Sequence, residues 1–335
     1  MCFRKSGGWA SARKRKGKHK MTMTEAELSG LTFGCELEYE GLTRMKTAQV
    51  VAAAVGGRAY EPARDCSRVA MPDGRIWSIE ADGSLHADGD RNAETVSPIL
   101  KVGDLETVSK VVNALRKAGA YANTETGLHI HIGGRDLTPM QIKNLVRLFY
   151  KQEVLILNAA GTLPNRIRRY TRYTDHSFVE RICRMQNPTM QSLAAAYYSG
   201  YERTYAHYCK ARYHALNLHT LFNDAKGTVE FRFWNGSTKA GDVRTAILFC
   251  LLVVARAKLA KATSAKHQRT YSAASAKYDL RVFLLRLGAN GRFFREMRMT
   301  LMRNLPGSAA WKDGRHDRPK AVLAAATPSA TAANG

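Results

Sequence analysis

The residues of this 335-residue chain best suited to chemistry recur at a spacing of two. Leu31–Glu40 reads Leu-Thr-Phe-Gly-Cys-Glu-Leu-Glu-Tyr-Glu. On an extended strand Phe33, Cys35, Leu37 and Tyr39 take one face, and Gly34, Glu36, Glu38 and Glu40 the other. Carboxylates two residues apart on a strand sit roughly 6.5–7 Å apart at the backbone. Such side chains can converge on one divalent cation or hold two neighbouring ones; without a cation they repel. Leu128–Gly133 repeats the pattern, with His129 and His131 opposite Leu128, Ile130 and Ile132. Thr228–Trp234 sets Glu230 and Arg232 opposite Val229, Phe231 and Phe233, and Glu94 lies in the strand-like stretch Asn92–Leu100.

Lys, Thr, Ser and Gln would serve better to solvate an open sheet face. Carboxylates, imidazoles and one guanidinium are instead what a site for cations and phosphate requires. Carboxylates position hard cations such as Mg²⁺ or Mn²⁺, an imidazole shifts preference slightly toward Mn²⁺, and a guanidinium offers a forked donor to phosphate oxygens. Each pair also has a plainer reading. Glu36 and Glu38 suit the wet face of an amphipathic strand, His129 and His131 suit a polar strand face, and Glu230 with Arg232 suits an internal ion pair. A zinc site lacks support, because there is no cysteine cluster and no His-Glu-x-x-His helix.

These groups must be positioned by interleaved strands and helices. The pattern predicts a helix over Lys46–Val55, a loop or hairpin over 60–75, and a strand from Arg75 into the Asp82-Gly83 turn. Asn92–Leu100 follows as a strand with Pro98 at its end or at a bulge. Asp104 is expected to cap a helix burying Leu105, Val108, Val112 and Leu115. Thr138-Pro139 opens another that buries Ile142, Leu145, Val146 and Phe149. One or two helices fill the stretch to Cys209, then come strands at Tyr213–Leu221 and Thr228–Trp234. Helices are expected from Asp242 to about Leu259 and over 279–298, joined by a basic connector. Clean polar/apolar alternation favours an α+β fold: an antiparallel or mixed sheet, with helices on one face and the other face open.

The apolar fraction of 45% supports a real core, but the net charge of +24 is unusual and implies attraction to polyanions. Eight Lys/Arg and no acid fall in the first twenty residues, leaving +16 for the rest. The expected organisation is a disordered basic tail over 1–25, one domain over 26–306, and an Ala/Thr/Pro-rich disordered tail over 307–335. Six cysteines without Cys-x-x-Cys spacing read as reduced structural thiols, and no apolar run reaches the roughly twenty residues of a membrane span. A cytoplasmic protein is expected. Arg166, Arg168, Arg169, Tyr170, Arg172 and Tyr173 form an Arg/Tyr-rich segment, read either as a holder of an acidic group or as a solvated basic face.

In combination, Phe-Gly-Cys-Glu-Leu-Glu at Phe33–Glu38, Glu-Thr-Val-Ser-Pro-Ile-Leu at Glu94–Leu100, Gly-Leu-His-Ile-His-Ile-Gly at Gly127–Gly133, and Asn-Leu at Asn217 followed by Thr-Val-Glu-Phe-Arg-Phe at Thr228–Phe233 resemble the signature of the amidoligases. That family is grouped with glutamine synthetase and glutamate–cysteine ligase as carboxylate–amine ligases. The resemblance covers roughly residues 30–260. It implies a curved antiparallel sheet like the glutamine synthetase catalytic domain, holding ATP and two or three Mg²⁺ or Mn²⁺ ions. It also implies Glu36, Glu38, Glu94, His129 and Glu230 as metal ligands, His131 at the substrate or transferred phosphoryl group, and Arg232 at the γ-phosphate. Asp82, Asn217, Arg166 and Arg172 match more loosely as substrate or ATP contacts. The substrates would be small-molecule or peptide carboxylates and amines. Two rivals remain at this level: a nucleic-acid-binding protein using the basic surface, and a divalent-metal hydrolase using the same ligands on water.

Overall fold

The computed structural model describes residues 22–63, 66–81, 91–202, 204, 206, 209–223, 226–262 and 267–312. Among the described residues nine strands form one sheet: β1 Thr32–Glu40, β2 Arg58–Ala63, β3 Cys66–Ala70, β4 Ile76–Glu80, β5 Asn92–Val96, β6 Leu100–Lys101, β7 Gly127–Gly133, β8 Leu216–Asn217 and β9 Thr228–Asn235. Their spatial order is β2-β3-β4-β5-β1-β7-β9-β8, with β6 also beside β1, and all these pairings are antiparallel. The three strands richest in Glu, His and Arg (β1, β7, β9) are therefore neighbours at the centre, although nearly 200 residues separate the first from the last.

The apolar face carries Phe33, Cys35, Leu37, Tyr39, Trp77, Ile79, Ile130, Ile132, Val229, Phe231 and Phe233, all buried. Helices cover it. Ala240–Leu259 is apolar nearly all round and packs on β7 and β1, as a helix enclosed by other elements must be. The 22-residue helix Pro139–Ala160 packs on β9, where Phe149 meets Phe231 and Phe233 at ring distances of 5.9 and 5.7 Å. Its start carries a reciprocal cap between Thr138 and Gln141, with Pro139 in the first turn. Arg44–Val55 lies beneath β2–β5, and Leu105–Lys117 packs between it and the helix Ala240–Leu259.

Several elements differ from expectation for local reasons. The stretch 213–221 is not one strand. His219 N–H donates to Asn217 Oδ1 at 2.8 Å, turning the chain out of the two-residue β8 into the short helix His219–Phe222. Asn92–Leu100 splits into β5 and β6 because Pro98 has no N–H for the ladder. There Glu36 pairs Val96 and Phe33 pairs Leu100, so one extra residue bulges out, and Ile99 stands 75% exposed. Asp104 occupies the N-cap position without capping: its carboxylate takes the Lys101 N–H and pairs with Arg75. Among the described residues of the stretch to Cys209 there are three helices (Pro164–Arg169, His176–Arg184, Met190–Tyr197), not one or two.

The helix expected over 279–298 is two, Ala276–Leu287 and Arg295–Arg303, parted at Gly288, whose φ of +98° is left-handed. The Gly288 carbonyl accepts the N–H of Met23, which is 2% exposed, so the packed body begins before the boundary expected at residue 26. Residues 1–21 and 313–335 of the expected tails lie outside the described residues. The described cysteines form no disulfide. No helix among the described residues is long and apolar enough to cross a membrane.

Candidate active site

Antiparallel register fixes who meets whom on the face opposite the helices. Glu36 pairs His129 and Gly34 pairs His131 across β1 and β7; Glu38 pairs Glu94 across β1 and β5; His131 pairs Glu230 across β7 and β9; Glu230 pairs Asn217 across β9 and β8. Directly opposed residues share a face. The groups selected from three sequence motifs thus converge with Glu94 in one neighbourhood.

The contacts are close. Glu36 Oε2 lies 3.1 Å from His129 Nδ1, and Glu36 Oε1 lies 3.1 Å from His131 Nε2. Glu38 accepts the Gly127 N–H at 2.5 Å through one oxygen and approaches His129 Nε2 at 3.4 Å through the other. Glu230 Oε1 pairs with Arg232 Nη1 and stands 3.8 and 3.9 Å from His129 and His131; its Oε2 accepts Asn217 Nδ2 at 2.6 Å. Ligand atoms of Glu36, His131 and Glu230 lie within 4.8 Å of one another, as do those of Glu36, Glu94 and His129. This face is not open at its centre: Glu36, Glu38, His129, His131, Glu230 and Arg232 are buried among themselves, and Glu94 is half-buried.

Burial works against charge on these carboxyls, and their neighbours overcome it. Desolvation pushes Glu36 up, but His131, His129 and Lys226 outweigh it and hold the group well below the usual carboxylate range. Glu230 is likewise raised by burial, yet Arg232 and the two histidines bring it to about 2. Arg232, disfavoured by burial, is held charged chiefly by Glu230, then Glu36 and Glu38.

The donor set fits divalent cations. Four carboxylates gather around two imidazoles, the two three-donor groups share Glu36, and oxygen with nitrogen suits Mg²⁺ or Mn²⁺. His131 Nε2 is buried with no hydrogen-bond partner despite its approach to Glu36, and so is Arg232 Nε. An incoming cation and an incoming anionic oxygen would satisfy these two atoms respectively. Beside them opens a cavity of about 480 Å³, walled by Gly133, Gly134, Arg135, Lys226 and the Ser97–Ile99 bulge, and reaching Glu36 and His131.

A family model described as "Putative amidoligase enzyme" matches residues 29–254, well over half the chain. The chain belongs to the amidoligase family. No curated protein matches it. The amidoligase match takes in all nine strands and ends within the helix Ala240–Leu259, so the last two helices lie beyond it.

The looser assignments separate around this cluster in the amidoligase-family chain. Arg166 is 2% exposed and lies flat against Gly127, where a Cβ would stand 2.3 Å from its Nη2. It donates to the carbonyls of Arg232 and Glu125; burial lowers its pKa, and Glu38 counters this only in part. Arg168 and Arg169 are exposed, so the Arg/Tyr segment is not one cluster. Arg172 is exposed and donates to the carbonyls of Lys210 and Tyr213, a loop whose Tyr213 ring lies 5.9 Å from the Arg232 guanidinium carbon. Asn217 is fully buried and braces Glu230, its oxygen being taken by Tyr197 and the His219 N–H. Expected as direct substrate or ATP contacts, Arg172 and Asn217 are engaged with the protein itself. Asp82 lies outside the described residues.

Three features were missed from sequence. Glu80 pairs Glu94, which pairs Glu38, so three carboxylates line up across β4, β5 and β1; alternation with Trp77 and Ile79 was the available signal. Lys226, from the loop before β9, pairs with Glu36, and no periodicity marks a loop residue. A bulge sets Arg232 and Phe233 opposite His129 alone, since Leu128 pairs Trp234 while Ile130 pairs Phe231. It returns Trp234 to the helix side, against Phe249.

Proposed function

We propose that this chain is an ATP-dependent carboxylate–amine ligase of the glutamine synthetase and glutamate–cysteine ligase kind, releasing ADP and phosphate as it forms an amide or peptide-type bond. The convergence of Glu36, Glu94, His129, His131 and Glu230 from four strands, beside Arg232 and an adjoining cavity, supports this reading most. A carboxylate does not condense with an amine unaided, because its oxygen is a poor leaving group. Moving the γ-phosphoryl group onto that oxygen gives an acyl phosphate; the amine then attacks the carbonyl, phosphate leaves and the nitrogen gives up a proton.

Such transfer depends on position and charge more than on covalent help from the protein. Glu36 with Glu94 and His129, and Glu36 with His131 and Glu230, would hold Mg²⁺ or Mn²⁺, which neutralises phosphate oxygens when bound. Arg232, paired with Glu230, would offer its unpartnered Nε–H to the charge that develops on the transferred group. The cavity at Glu36, His131, Arg135 and Lys226 is large enough for a nucleotide. A small-molecule or peptide carboxylate and amine complete the reaction.

The test is to screen amino acids and short peptides with the purified protein for Mg²⁺-dependent ADP formation. ADP should require both a carboxylate and an amine, and Arg232→Ala should lower turnover by about 10²–10³. ADP or phosphate released equally without amine would favour the hydrolase, and near wild-type turnover of Arg232→Ala would sink the assignment.

A further inference from the structure

We infer that Lys226 is a placeholder cation: its ammonium holds Glu36 while the site lacks metal and swings aside when a divalent ion takes that carboxylate. The inference rests on the metal-binding reading above. Glu36 is the one residue common to both three-donor groups, and Lys226 Nζ sits on its Oε1, the oxygen 3.1 Å from His131 Nε2. An ion bound by either group competes with the ammonium for the same carboxylate. Glu230 and Glu94 also favour the Lys226 charge, so the ammonium stands in the field of all three acids that the two groups contain.

The site has reason to keep such a group. Arg232 is committed to Glu230, and its side chain is 7% exposed. Without Lys226, Glu36 would face Glu94 and Glu38 with only the two imidazoles to compensate it. Lys226 is built to move where Arg232 is not. Its side chain is 47% exposed, so the stem can rotate without repacking a core. The backbone beside it is anchored, with Gly227 N–H on the Thr220 carbonyl at 2.9 Å and Gly134 N–H on the Gly227 carbonyl at 3.0 Å. A flexible ammonium is the charge suited to this exchange; a buried planar guanidinium already paired with Glu230 is not.

Rotation leads into the 480 Å³ cavity that Lys226 itself lines, where Arg135 packs against Gly227. The released ammonium would there meet an anionic group entering beside the metal. One event would thus remove a competitor from Glu36 and supply a phosphate partner.

The experiment compares wild type with Lys226→Met and Lys226→Gln, by thermal unfolding and by Mn²⁺ titration calorimetry in about 0.5 M KCl, where diffuse surface charge is screened. In EDTA both variants should melt below wild type, and saturating Mn²⁺ should close the gap. Mn²⁺ should bind the variants about two- to fivefold more tightly, the range expected for losing one partly exposed competing ion pair. Equal Mn²⁺ affinity, with a melting gap that persists at saturation, would make Lys226 a fixed structural partner and overturn the inference alone. No Mn²⁺ binding by wild type would remove the metal reading and the placeholder together.

Discussion

Replacing Arg232 by methionine tests whether the central ion pair is what makes its buried acid tolerable. Glu230 is 1% exposed, and its charged form depends first on Arg232, then on the two histidines and on Asn217. A carboxyl held at about 2 in the folded state, against an ordinary 4.5, contributes roughly 3 kcal/mol of stability at neutral pH. Deleting one partner of a buried pair independently gives about 3–5 kcal/mol. Arg232→Met should therefore lose about 3 kcal/mol in urea unfolding at pH 7 with chelator present. Because the folded value is depressed, this stabilisation is complete above 4.5 and disappears as pH falls toward 2. Wild type should thus lose more stability across that interval than Arg232→Met. Adding Glu230→Gln removes the stranded charge and keeps the Asn217 hydrogen bond, so the double variant should recover about 1–3 kcal/mol. Equal stability of wild type and Arg232→Met, or a double variant no better than the single, would refute the reasoning.

Asn217→Ala leaves Glu230 Oε2 without its 2.6 Å donor and should cost about 1–3 kcal/mol in urea unfolding. In the ligase assay it should lower kcat more than it raises KM, because Asn217 positions Glu230; a change in KM alone would mark it as a substrate contact. Glu153, buried in the helix Pro139–Ala160, is raised to about 7 by desolvation against the lowering hydrogen bonds from Thr174. Here the folded state holds its proton longer than the unfolded one, so stability falls as pH rises from about 4.5 to about 7. Glu153→Gln should therefore gain more in Tm at pH 8 than at pH 5, and a pH-independent difference would argue against a buried titrating acid.

What was legible in the sequence follows from period. A strand repeats every two residues, so alternation alone assigns Glu36, Glu38, His129, His131, Glu230 and Arg232 to the face away from the core, and each is found there. Period gives a face but no neighbour. That Glu38 meets Glu94, and that β1 lies between β5 and β7, depends on pairings between distant segments which no local window contains. Backbone irregularities hid as well. One extra residue at Ser97–Ile99 shapes a cavity wall, and another at Arg232–Phe233 sets where Arg232 stands opposite His129. Composition failed in a third way at Pro164–Arg169, where three arginines lie within four residues. Only Arg166 is buried, because Gly127 leaves room for its guanidinium, and that glycine lies 39 positions earlier, at the start of β7. The chemistry was therefore readable on the regular strands β1, β7 and β9, although Glu80 on β4 carried the same alternation and was passed over. It became unreadable where a loop lysine, a bulge or a distant glycine did the positioning.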